Sequence, residues 1–149
     1  MALNTNEQSV SGKEASEQEP AKSRILLVEN SKIVRNGLGK ALFSLENVSL
    51  VKTASSIEEA LALLTNNNNE FNCVISCSFG GDCQKIDDLL VEQNSDIYFT
   101  VHTGLPVTYV DHQLKSKYSR VVFKGDQTPE QLASLDWDNL PQRPNQPQQ

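Results

Sequence analysis

The chain has 149 residues, 38% of them hydrophobic, with a formal net charge of −6, enough for one domain with a real core and too little for two ordinary ones. Its 13 basic residues are scattered through an acidic chain of pI near 4.9, so they form no concentrated footprint for nucleic acid or an anionic membrane. No segment approaches the roughly 18 consecutive apolar residues of a membrane span, and the polar N-terminus lacks the apolar stretch of a signal peptide, which places the expected protein in the cytoplasm.

Residues 1–22 are rich in Ser, Glu, Gln, Asn and Lys, with almost no large apolar side chain. They cannot bury enough surface to offset the entropy of ordering, and a disordered tail is expected. Ile25, Leu26, Leu27 and Val28 then form an unbroken apolar run closed by Glu29, Asn30 and Ser31. That pattern reads as a strand buried on both faces of a parallel sheet. From Ser31, a plausible cap, the period changes: Val34, Leu38, Ala41, Leu42 and Leu45 recur at helical spacing, leaving Lys32, Arg35 and Lys40 outside.

Val48 to Thr53 reads as a second strand. Ser56 and Glu59 form a capping-box pattern ahead of the helical stripe Ile57, Ala60, Leu61 and Leu64, and the run Asn66 to Asn69 ends that helix. Phe71 to Ser76 is the predicted third strand, followed by a loop through Gly80 and Gly81 and a helix through Ile86, Leu89 and Leu90. Ile97 to Val101 is the fourth strand, with Gly104 and Pro106 in the turn after it. Val107, Val110, Leu114 and Tyr118 keep helical spacing and predict a fourth helix. Val121, Val122 and Phe123 form the fifth strand. Thr128, Pro129 and Gln131 supply a cap, a proline at the first helical position and a capping partner for a last helix. Its short stripe is Leu132 and Leu135, with Trp137 and Leu140 beyond. From Pro141 the chain is rich in Pro and Gln, again a tail. The expected domain therefore spans 23–140, and 141–149 lies outside it. Five alternating strands and helices make an α/β domain with right-handed crossovers.

Three stretches, Ile-Leu-Leu-Val-Glu-Asn-Ser from Ile25, Cys-Val-Ile-Ser-Cys from Cys73 and Val-Val-Phe-Lys-Gly from Val121, together with the element order, resemble response-regulator receiver domains (CheY-like) over residues 23 to 138. The resemblance implies a flavodoxin-like, doubly wound five-stranded parallel sheet of strand order 2-1-3-4-5, helices on both faces, and a site at the carboxyl ends of the strands. In that family an acidic pair, in the places of Glu29 and Asn30, helps hold magnesium. The third strand ends in the aspartate that accepts a phosphoryl group from a histidine kinase, and here Cys77 holds that place. Thr100 or Thr103 matches the switch hydroxyl of the fourth strand, and Lys124 matches the lysine that contacts the phosphoryl group. The aromatic switch position is Val121, and the proline after the lysine is replaced by Gly125.

One carboxylate and an amide are a poor magnesium site, and a thiol cannot form an acyl phosphate. The resemblance therefore implies a pseudo-receiver: the fold without aspartyl phosphorylation, without cofactor or metal, and without enzymatic activity of its own. Asp82, five residues beyond Cys77, is wrongly placed to substitute. Lys124 is expected to pair with Glu29. With no effector domain expected after residue 140, output would pass to a protein partner, such as a histidine kinase, another response regulator or an output module. The surface that serves receivers in this way would include Tyr109, Leu114, Lys117 and Tyr118.

Other readings use the same residues. Cys77 near Lys124 could be a low-pKa thiol in a redox or small-ligand sensor, or the chain could still answer a kinase by an unusual route. Cys77, Cys83 and His102 lack a recognised zinc spacing. The two histidines, without a nucleophile elbow, give no support to a hydrolase triad. No GxGxxG motif or P-loop is present to cradle a nucleotide. Three cysteines without C-x-x-C spacing fit reduced thiols. In a strand, Cys73 and Cys77 would stand about 13 Å apart at roughly 3.3 Å per residue, too far to bond.

Overall fold

The computed structural model describes residues 21–77 and 81–143, so most of the two predicted tails lies outside the described residues. Strands β1 (Ser23–Val28), β2 (Val48–Ala54), β3 (Cys73–Ser76), β4 (Tyr98–Thr103) and β5 (Ser119–Phe123) alternate with helices α1 (Lys32–Phe43), α2 (Ile57–Asn66), α3 (Gly81–Glu92), α4 (Val107–Asp111) and α5 (Pro129–Leu132). All neighbouring strands pair in parallel in the order β2-β1-β3-β4-β5. This is the doubly wound arrangement that the alternation of elements predicts.

The unbroken apolar run of β1 is explained by its position inside the sheet, between β2 and β3. Leu26 and Val28 join one core, with Val74, Phe99 and Val101 from the sheet and Ala60, Leu64, Ile86 and Leu90 from α2 and α3. Ile25 and Leu27 join the opposite core, with Cys73, Ile75, Leu42 and Leu132. Successive residues of a strand point to opposite faces, so a strand covered on both sides needs apolar residues at every position.

Helix α1 starts where the sequence predicts, with the Ser31 Oγ accepting a hydrogen bond from the Val34 N–H. That cap also sets the helix phase, and the phase differs from the expected stripe. Val34 is 46% exposed, whereas Gly39 is buried, and a Cβ added to Gly39 would lie 3.6 Å from the Thr53 side chain. That 3.6 Å is an ordinary van der Waals contact, and the face of α1 turned to the sheet runs through Leu38, Gly39 and Leu42, with Val34 outside it. Arg35, expected outside, is half-buried and donates to the Glu29 carbonyl at 2.9 Å.

Strand β3 begins at Cys73, two residues later than predicted, directly after Asn72. Its side chain accepts from the Arg24 N–H at 2.7 Å and donates to the Lys22 carbonyl at 2.9 Å. The predicted helix from Val107 to Tyr118 ends at Asp111. Beyond it, the fully buried Asp87 of α3 accepts from the Lys115 N–H at 2.9 Å and the Ser116 N–H at 3.0 Å. A helix continued through Ser116 would give those donors to its own carbonyls, so the carboxylate captures the backbone in a turn instead.

The capping box of α5 forms as predicted, although the helix is one turn long. The chain stays packed past residue 140. Arg143 donates through its backbone N–H to the Lys117 carbonyl at 3.0 Å and forms an ion pair with Asp111 at 3.0 Å. Among the described residues no helix is long and apolar enough to cross a membrane.

Candidate functional site at the carboxyl end of the sheet

Parallel register places the candidate residues at one end of the sheet. Val28 pairs with Ser76 and Ser76 with Val101, so Glu29, Cys77 and His102 follow one step beyond that row. The Glu29 N–H reaches the Ala54 carbonyl at 3.0 Å, and the Cys77 N–H reaches the Val28 carbonyl at 2.8 Å. Both residues are 5% exposed, while Asn30 points out to solvent. One Glu29 carboxylate oxygen accepts from the Ser31 N–H at 2.7 Å, where the chain turns into α1.

The structure separates the two threonines. Thr103 ends β4 beside Phe123, and its carbonyl accepts from the Lys124 N–H at 2.7 Å, so it stands at the site. Its hydroxyl accepts from the Leu105 N–H at 2.9 Å. Thr100 lies three residues down the strand, fully buried, and accepts from the Arg120 Nε at 3.0 Å. It braces Arg120, whose guanidinium also donates to the Leu132 carbonyl at 2.6 Å. Thr100 is therefore part of the packing under α5 and is removed from the site.

Lys124 does not pair with Glu29. Among the described residues the ion pairs within 4.0 Å are Lys52–Glu70, Lys117–Asp96 and Arg143–Asp111. The half-buried Lys124 is followed by Gly125 at φ +94°. Proline, confined to φ near −65°, cannot adopt that backbone, so the glycine re-aims the chain directly after the lysine.

His102 is the site residue that motif reasoning did not assign here. Its Nδ1 lies 3.7 Å from the Cys77 Sγ, and its Nε2 is buried without a protein partner. The signal lay in strand register: a residue after Val101 must stand beside the residue after Ser76. Cys83, weighed with these two as a zinc ligand, is on the opposite face of the sheet, in the core with Ile86. Among the described residues no three His, Cys, Asp or Glu side chains are grouped to hold a metal ion.

The electrostatics keep this pair neutral. Burial, reinforced by the Glu29 charge and opposed by Lys124, pushes the Cys77 thiol up to about 12. Burial and then Lys124 lower the His102 pKa, against the pull of Glu29. At neutral pH the site therefore holds a thiol beside an uncharged imidazole. Asp82 is exposed in the first turn of α3.

Of the four residues expected on the partner surface, three reach solvent. Tyr109 is 62% exposed, and Tyr118 and Lys117 are half-buried, with the Lys117 ammonium 5.4 Å from the Tyr118 ring centre. Leu114 is 1% exposed and belongs to the core with Val110. Its helical spacing marked an inward-facing residue, so it leaves the proposed surface. Cys73, Cys77 and Cys83 are buried thiols with no disulfide between them.

No protein-family model and no curated protein matches the sequence. Solved structures do match its shape. The chain is similar to the receiver domain of response regulator 1452 from Francisella, with 16% identity, TM-score 0.62, and 75% of this chain covering 91% of that one. It is also similar to the receiver domain of the putative response regulator NarL from Mycobacterium tuberculosis, with 17% identity, TM-score 0.60 and coverage of 76% and 92%. HP1043, an orphan response regulator of H. pylori, matches with 16% identity, TM-score 0.59 and coverage of 77% and 93%. At such identities shape alone is shared, and the strand order agrees: this chain has the fold of a response-regulator receiver domain.

Proposed function

We propose that the chain is a receiver-like signalling domain of a two-component or phosphorelay system that acts by binding a protein partner and is not switched by aspartyl phosphate. The observation that carries this reading is Cys77 at the end of β3, buried as a neutral thiol beside Glu29. Phosphoryl transfer to a receiver needs a carboxylate nucleophile and a cation that neutralises the transferred group. A protonated thiol supplies neither the attacking oxygen nor a hard ligand, and Asn30 adds only an amide. In this reading Lys124 keeps its place without its phosphoryl partner, and the chain catalyses nothing itself.

Output then depends on surface rather than chemistry. The partner face includes Tyr109, Lys117 and Tyr118, and the partner is a histidine kinase, another response regulator or an output module in the cytoplasm. A redox role for Cys77 is disfavoured by the same burial, because a thiol held near pKa 12 presents almost no thiolate at neutral pH.

The test is a pair of amide NMR spectra with and without magnesium plus beryllofluoride, a mimic of an aspartyl phosphate. Unmoved resonances at Glu29, Cys77, Thr103 and Lys124 are expected. Saturable shifts there would show a pocket that still binds a phosphoryl-like group and would overturn the proposal.

A further inference from the structure

The outer side of α1 is unlike the rest of this acidic protein. The helix carries Lys32, Arg35 and Lys40 with no acidic residue, and it leaves Ile33 85%, Val34 46% and Phe43 60% exposed. Between α1 and β2 runs a groove of about 270 Å³ lined by Arg35, Gly39, Lys40, Phe43, Val51 and Thr53. Two of these residues are cationic and none is acidic. Among the described residues strand β2 is also an edge of the sheet, paired with β1 alone, so its outer backbone groups have no strand partner there.

The segment that precedes the described residues has the complementary character. Residues 1–20 contain Glu7, Glu14, Glu17 and Glu19 against a single Lys13. They enter the fold at the right place, because Ser23 opens β1 opposite Val48, the first residue of the edge strand β2. Ten residues reach at most about 35 Å when extended, and α1 with its 12 residues is about 18 Å long, so Glu14, Glu17 and Glu19 can lie beside Lys40 and Arg35. A tether this short holds its acidic stretch near the groove at about millimolar effective concentration.

We propose that the acidic N-terminal segment of this chain docks in cis along the groove between α1 and β2 and covers its basic and apolar surface. The segment is then a built-in competitor for any acidic partner that uses α1. The attraction is between largely exposed charges and is screened within about 8–10 Å at physiological salt, so docking is reversible and sensitive to ionic strength. Docking does not depend on the chemistry at Cys77.

The experiment places a nitroxide spin label on Ser11→Cys in the full-length chain and reads amide intensities by NMR. The three natural thiols are 0–5% exposed and react slowly by comparison. Severalfold intensity loss at Gly39, Lys40, Phe43 and Val51, relieved by 0.5 M salt and by Glu14→Lys, Glu17→Lys and Glu19→Lys together, is the expected result. Loss spread evenly over the surface, or loss that survives the charge reversal, would overturn the proposal. A mixture of isotope-labelled chains without nitroxide and unlabelled chains with it closes the remaining route: loss of equal size there would assign the segment to a second copy and refute docking in cis.

Discussion

The two halves of the molecule are held together differently. Helices α1 to α3 run 10 to 12 residues, whereas α4 and α5, nearer the C-terminus, run only five and four. In the first half, stripes such as Ile57, Ala60 and Leu64 bury a continuous apolar face against the sheet. In the second half, long-range polar anchors do much of this work. Asp87 holds the turn at Lys115 and Ser116, Arg120 ties β5 to Thr100 and Leu132, and Arg143 clamps Asp111. Residues 105–118 are rich in β-branched and polar side chains with weak helix preference, so a polar anchor takes over where propensity and stripe both fail.

This contrast predicts a graded set of responses. Leu64→Ala, which empties a fully buried site in the apolar half, should cost about 3 kcal/mol and lower the urea midpoint of the whole domain. Asp87→Ala leaves two backbone donors without their acceptor and should cost about 2 kcal/mol. Its effect should be local, with amide hydrogen exchange accelerated at 115–119 far more than in β1. Equal acceleration throughout would show that the two halves do not differ in the way described.

Alkaline pH provides the next test. Burial pushes the Cys73 thiol from 9.0 up to about 12. Above pH 9 the unfolded chain releases this proton while the folded chain keeps it. Stability from Cys73 is thus complete below pH 9 and falls by about 1.4 kcal/mol per pH unit until the folded thiol ionises. Urea midpoints at pH 8 and 10.5 measure the fall, and Cys73→Ala should remove one share of it, because the raised thiols of Cys77 and Cys83 supply the rest. The smallest expected effect is Thr128→Ala at the capping box of α5, about 1 kcal/mol, read as a modest drop in midpoint with the sheet unchanged.

The same division explains what could be read from the sequence. Apolar runs and stripes report burial directly, so β1, α2 and the alternation of strands and helices were legible, as were the caps at Ser31, Ser56 and Thr128. The end of α4 was not, because the decisive group, Asp87, lies 28 residues before the backbone it captures at Lys115. Leu114 shows the corresponding error of function: its place in an apolar stripe already marked it for the core, where it lies with Val110 beyond the end of α4. Val34 shows it again: it lies on the outer side of α1 while Gly39 and Leu42 face the sheet.

At the candidate site, chain order alone brought Glu29, Asn30, Cys77 and Lys124 to one end of the sheet, because parallel strands with crossover helices put all their carboxyl ends together. Only tertiary structure decided the rest. Register chose Thr103 over Thr100 and set His102 beside Cys77, and in the folded chain Lys124 and Glu29 make no ion pair. Periodicity is a property of neighbours in sequence and survives in the sequence itself. Pairing between groups far apart depends on register and distance, which exist only once the chain has folded.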